Sequence, residues 1–342
     1  MFNSWSPPAH WMKITTIETH AAGEPLRIIT GGLPPIPGDT ILEKRRFARK
    51  HLDGIRTSLM WEPRGHADMY GGIITEPTVQ DSDLGVLFLH NQGFSTMCGH
   101  GIIALSTAVL ETEMVSRPGD HPELRIDAPA GLITAQAQRV GDRITSVAFQ
   151  NVPSFVLALD QEIQVPGIGK VRYDIAFGGA FYAFVRAADL DLDLIPEQAA
   201  RLIDAGRRIK QAIMRNDPCH HPFDRDLGFL YGTIFTAPPK ETGHFSRNVC
   251  IFADGELDRS PTGTGVSARA ALHYVRREIE IGTPFTIESI LDTCFTGRVL
   301  KTTSLGPHEA VVPEISGSAS IVGRCEWWID PDDPLKNGFV FR

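Results

Sequence analysis

Cysteine is scarce in this chain of 342 residues, and its placement is scattered. Cys98, Cys219, Cys250, Cys294 and Cys325 are odd in number and form no CxxC pair. That argues against a disulfide framework and favours reduced thiols in the cytosol. Positive charge is also short: the net charge is −8, whereas a nucleic-acid partner calls for a basic surface. No apolar stretch approaches the roughly 20 residues that span a bilayer, so no membrane partner is expected. The opening MFNSWSPPAHWMKITTIETH has no basic region followed by an apolar run, so no signal peptide is expected either. Asn3 begins Asn-Ser-Trp, which is not a glycosylation sequon. With 42% hydrophobic and 22% charged residues, the chain reads as a soluble globular protein long enough for two domains.

The leader 1–12 reads as a loose arm. From Lys13, short β-branched runs alternate with Gly/Pro punctuation: KITTIET, PLRIITGG, GGIITEP, LGVLFLHN, RITSVAFQNV and SFVLALD, then KVRYDIAFG, AFYAFVR, FLYGTIFTA and NVCIFADGEL. Each predicts a strand. Helices are expected over 39–52, 102–110, 196–214 and 268–277, and the terminal FVFR as a closing strand. More strand than a plain βα alternation gives an α+β fold.

Two segments repeat one another. LGVLFLHNQGFSTMCGHGIIALSTAVL surrounds Cys98, and RNVCIFADGELDRSPTGTGVSARAAL surrounds Thr262. Aligning Cys98 with Thr262 pairs Gly99 with Gly263, Gly101 with Gly265, Ile102 with Val266 and Ala104 with Ala268. Both copies run strand, loop, x-G-x-G, apolar helix start, which suggests a duplicated domain with pseudo-two-fold symmetry. Each also contains GxGxxA, the outline of a dinucleotide fingerprint. In both copies, however, several loop residues separate the strand from the first glycine, and no acid ends a second strand about 20 residues on. A smaller anion suits the loops better. A helix N-terminus offers unsatisfied N–H groups and partial positive charge, and glycine lets a ligand approach the backbone. Two such ends converging would hold a carboxylate. Cys98, at the mouth of the first helix, sits where a thiol pKa is lowered. Cys219-His220-His221 lacks metal-ligand spacing and reads as a loop.

MCGHG together with DRSPTGTG resembles the active-site loops of the proline racemase family. The resemblance extends over THAAGEPLRIITGG, EPRGHADMYG, FGGAFYAFV and DPDDPLKNGF. It implies a diaminopimelate-epimerase-like fold: two pseudo-symmetric α/β domains, each wrapping strands around a central helix, with the site in the cleft between them. The domains are placed at 13–168, carrying Cys98 and rejoined by 325–342, and at 169–324, carrying Thr262. Family racemases use two cysteines on opposite faces of the substrate α-carbon. Here Cys98 matches the first and Thr262 stands at the second, and a threonine hydroxyl has no pKa near neutrality with which to return a proton. Threonine there marks the trans-3-hydroxy-L-proline dehydratases, so the resemblance implies a hydro-lyase that works without cofactor or metal. By the same mapping Gly99, His100, Gly263 and Thr264 contact the substrate carboxylate or ring, Asp258 meets the ring ammonium, and His100 shares that role or assists the leaving hydroxide. Arg259 and Ser260 fix the loop, and Glu62, Arg64, His66 and Asp68 are assigned to the scaffold. A proline racemase or 4-hydroxyproline 2-epimerase is the alternative, and a non-catalytic amino-acid-binding or thiol redox protein the second. The expected partner is a small hydroxyproline-like substrate in the cytoplasm. Proteins of two such domains often pair, which leaves a homodimer open.

Overall fold

The computed structural model describes residues 5–216 and 219–341. Among these, five α-helices occur: α1 (Ile41–His51), α2 (Asp53–Met60), α3 (Gly99–Glu111), α4 (Ala199–Asn216) and α5 (Gly263–Val275). The described strands all join one continuous hydrogen-bonded network.

The helix after each glycine loop is apolar on every side, and such a helix belongs in a core. α3 is buried from Gly99 to Leu110 and α5 from Gly263 to His273. Strands wrap each one. Met12–Ala21, Glu24–Gly31, Gly131–Val140, Arg143–Gln150 and Ala319–Ile329 pack on α3. Ser154–Val165, Gly169–Phe177, Phe181–Arg186, Cys294–Leu305 and His308–Gly317 pack on α5. The late strand Ala319–Ile329 returns to the N-terminal half, pairing antiparallel with Met12–Ala21 in the register Met12 to Ile329. The two helix surrounds share one apolar core, and a smaller cluster lies under α1 and α2.

The expected strands form with ends moved by a few residues. Both central helices begin earlier than their apolar runs suggest, at Gly99 instead of 102 and Gly263 instead of 268. Glycine is a poor helix former, but a first turn sealed by tertiary contact tolerates it. The helix α2 was not expected; it is short and contains Gly54. The terminal FVFR does not close as a strand. Phe339 makes only an isolated bridge with Glu62, and Arg342 lies outside the described residues. Residues 1–4 of the leader also lie outside them, whereas the Trp5 ring packs 5.0 Å from that of Trp328.

The N-termini of α3 and α5 meet head to head. A Cβ on Gly99 would lie 2.5 Å from Gly263 Cα, and one on Gly263 would lie 2.7 Å from Gly99 Cα. Backbone against backbone cannot yield as a flexible side chain can. Gly99→Ala and Gly263→Ala are therefore each expected to cost about 1–3 kcal/mol in denaturant melts, with a loss of turnover larger than the stability change accounts for. Unaltered melting and activity in both variants would contradict the contact.

Candidate active site

The strand Leu84–Leu89 leads through 90–97 to Cys98, the N-cap of α3. Its backbone is extended (φ −144°), and its sulfur accepts a hydrogen bond from Gly101 N at 3.2 Å. The pseudo-symmetric position behaves differently. Thr262 caps α5 from the left-handed region, φ 67°, and its side chain makes no cap bond. Its hydroxyl instead donates to Asp258 Oδ2 at 2.8 Å, and Asp258 Oδ1 accepts Ser260 N at 2.8 Å. Ser260 Oγ in turn accepts Thr262 N at 3.1 Å. A β-branched residue with positive φ is rare and costs on the order of 1–3 kcal/mol, so this closed ring of bonds is what holds the loop.

Contacts from the other half of the protein pin the same loop. Arg259 donates through its backbone to Glu24 Oε2 at 2.7 Å and pairs with Asp68 at 2.7 Å. Arg64 lies 3.7 Å from Asp333, and the His66 ring accepts Asp68 N at 3.2 Å.

Cys98, Gly99, His100, Asp258, Thr262, Gly263 and Thr264 line one cavity between α3 and α5. Sequence reasoning missed the rest of the lining: Met97, Phe252 and three tyrosines, Tyr70, Tyr182 and Tyr231. Tyr70 and Tyr182 lie within the stretches EPRGHADMYG and FGGAFYAFV, but nothing local to either marks a hydroxyl aimed at a site. The hydroxyls are ordered by one another. Tyr182 bonds Thr264 Oγ1 at 2.6 Å, and Tyr70 bonds Ser95 Oγ at 2.6 Å and Tyr231 at 3.2 Å. Burial pushes all three phenols well above their usual range, which keeps them protonated. The cavity measures about 10 Å³, room for about one water molecule. Any larger ligand has to part its walls.

Cys98 is 4% exposed. Its helix-terminal position was expected to lower the thiol pKa, and the structure reverses that expectation. Burial pushes the thiol well above its ordinary value; the Gly101 N–H pulls the other way and loses, and the Asp258 charge adds to the upward shift. His100 Nδ1 stands 3.2 Å from the sulfur. One imidazole nitrogen donates to the Pro25 carbonyl, and burial lowers the ring's pKa. The pair is thus a neutral thiol facing a neutral imidazole. Among the described residues no second thiol lines the cavity. Cys250 lies beside Thr262, fully buried, with its pKa also raised by burial. Cys219, His220 and His221 sit in irregular chain after α4, where His221 accepts bonds from its own loop.

Two opposed helix ends, one thiol between them and a carboxylate held by a hydroxyl are thus gathered around one small cavity. The proline racemase family pattern matches residues 16–340, and the chain belongs to the proline racemase family. It is 48% identical to a trans-3-hydroxy-L-proline dehydratase of Colwellia psychrerythraea over 100% of this chain and 97% of that one. It is 46% identical to a 3-hydroxyproline 2-epimerase of Burkholderia multivorans over 96% and 98%. The solved hydroxyproline epimerase of Agrobacterium vitis with bound trans-4-hydroxy-L-proline superposes with a TM-score of 0.93 at 29% identity, over 98% of this chain and 96% of that one. The fold is accordingly that of the two-lobed family enzymes.

A raised thiol pKa means that little thiolate exists at neutral pH in the unliganded protein. Iodoacetamide labelling of Cys98, followed by mass spectrometry, is expected to keep accelerating above pH 9. A rate that levels off below pH 7 would show a thiol activated before any ligand arrives.

Proposed function

We propose that the chain is a hydro-lyase that dehydrates trans-3-hydroxy-L-proline to Δ1-pyrroline-2-carboxylate, with Cys98 as the base. The observation that carries this reading is Thr262. It occupies the place opposite Cys98, and its one hydroxyl proton is committed to Asp258. Relatives at 45–48% identity that bear the dehydratase name support the same reading.

The substrate carboxylate lies at the paired helix ends, against the amides of Gly99, His100, Gly263 and Thr264. There it meets partial positive charge from both. The ring ammonium faces Asp258 and the sulfur. Its charge draws the Cys98 pKa down on binding, and the thiol proton passes to the adjacent His100 imidazole. The Cys98 thiolate then takes the α-proton, and the growing charge spreads into the clamped carboxylate, where fixed donors stabilise it without rearrangement. The C3–OH bond breaks and C2=C3 forms; the leaving hydroxide takes the proton held by the His100 imidazolium and departs as water, while the α-proton stays on Cys98 and restores the neutral thiol and imidazole. The enamine then moves its proton from nitrogen to C3 and becomes the cyclic imine. No second base is needed, because the electrons depart with the leaving group.

Epimerisation, the reaction in the name of the Burkholderia multivorans relative, requires an acid on the face opposite Cys98. The Thr262 hydroxyl, bonded to Asp258, does not supply one. The reading takes the two helix surrounds as lobes that part to admit substrate; Ser154–Val165 packs on α5 and Ala319–Ile329 on α3, so the lobe boundaries are drawn before residue 154 and before residue 319, not at 168/169 and 324/325. It also takes the enzyme to be cytoplasmic, in keeping with five cysteines that form no disulfide among the described residues, and allows a pair of chains. Among the described residues no helix is long and apolar enough to cross a membrane.

Incubated with a panel of proline and hydroxyproline isomers, the protein is expected to give an imine from trans-3-hydroxy-L-proline and to leave L-proline and trans-4-hydroxy-L-proline unchanged. Inversion at C2 without imine, seen by NMR in D2O, would overturn the reading. Cys98→Ser is expected to lower kcat about 10³-fold with the fold intact.

A further inference from the structure

On the other side of Tyr231 from Cys98 a second cavity, of about 630 Å³, opens between α1 and α4. Tyr231 belongs to the walls of both. Five cationic side chains line the larger one: Arg45 and Arg49 from α1, Arg207 and Lys210 from α4, and Arg225. The two carboxylates among them are already engaged, Asp226 with Arg46 at 2.7 Å and Asp254 with Arg207 at 2.9 Å.

Arg45 and Lys210 stand out. They are 5% and 9% exposed, yet among the described residues neither has a carboxylate within ion-pair distance. Their partners are carbonyls: Arg45 donates to Phe94 O at 2.6 and 3.1 Å, and Lys210 to Ala253 O at 2.5 Å. A buried cation without a counter-charge is costly and is ordinarily paired. Burial lowers the Arg45 pKa, with Asp226 and Asp224 opposing it and Arg49 and Arg46 adding to it; burial brings Lys210 down to about 8 against the pull of Asp254 and Glu256. Both still carry charge at neutral pH. The nearby His90 is kept neutral by burial and these same cations, so it relieves nothing. In a chain of net charge −8, a cavity lined by five cations against two carboxylates, spanning both halves, fits a ligand of negative charge.

We propose that this cavity binds a small oxyanion, a carboxylate or phosphate, held between Arg45 on α1 and Lys210 on α4. Such an anion would tie the two halves together beside the tyrosine that walls the active site. A carboxylate occupant would be substrate or product in transit; a phosphate occupant would be a separate ligand. The binding site itself does not depend on which proline derivative the enzyme turns over.

The test uses the full chain and inorganic phosphate against sodium chloride of equal ionic strength. Phosphate is expected to raise Tm by roughly 2–4 °C near saturation, and Lys210→Met and Arg45→Met to abolish the rise. Should either variant fold poorly, Arg49→Gln and Arg207→Gln, changed at more accessible positions, are expected to weaken phosphate binding several-fold by calorimetry. Competition between phosphate and trans-3-hydroxy-L-proline, with KM raised and kcat unchanged in those two variants, assigns the site to the carboxylate; independent binding assigns it to phosphate. No rise beyond that in chloride, or an equal rise in the charge variants, would overturn the proposal. An inactive preparation would leave the phosphate measurement readable, so failure here is distinct from failure of the dehydratase reading.

Discussion

The structure depends on two helix N-termini pressed against each other at Gly99 and Gly263. Each end carries partial positive charge and unsatisfied N–H groups, so the contact is electrostatically unfavourable unless an anion lies beside it. Wrapping strands around both helices forces the ends together, and the absent Cβ atoms let the backbones touch. The two ends thus turn their free N–H groups toward one pocket, where the proposed reading places the carboxylate of the substrate. Acidity at the α-carbon follows from the same arrangement, since carbanion charge flows into the group the helices hold.

Symmetry is exact enough to build the clamp and is broken where the chemistry is decided. Cys98 has an ordinary extended backbone and turns its sulfur to Gly101 N, while Thr262 takes a left-handed backbone and turns its hydroxyl to Asp258. In the proposed reading the first arrangement serves as the proton acceptor, and the second holds Asp258 in place with the Thr262 hydroxyl proton committed to it. Glu24 and Asp68 hold this strained loop from across the cleft, both through Arg259.

Much of this was legible in the sequence. The paired loops, the two central helices and most strands follow from Gly placement and period-two runs, because those signals are local. The helix starts were late by a few residues, since a glycine turn becomes helical only when tertiary contact seals it. Tyr70, Tyr182 and Tyr231 were invisible as site residues because the segments that carry them meet only in the fold. The Cys98 pKa was misjudged for a related reason. Sequence reveals the helix end that lowers it but not the burial that raises it, and burial wins. The cationic cavity has the same origin: Arg45 and Lys210 are far apart in the chain, and the packing of α1 and α4 brings them to one cavity with no carboxylate among the described residues within ion-pair distance of either.

The most direct test of the central claim is Thr262→Cys assayed in D2O with trans-3-hydroxy-L-proline and L-proline, following deuterium at C2 and its configuration by NMR. The expected result is that the wild-type protein forms imine without inverting C2, whereas the variant gains α-deuterium with inversion. Inversion by the wild-type protein, or none by a variant that melts like wild type, would contradict the assignment of reaction choice to residue 262.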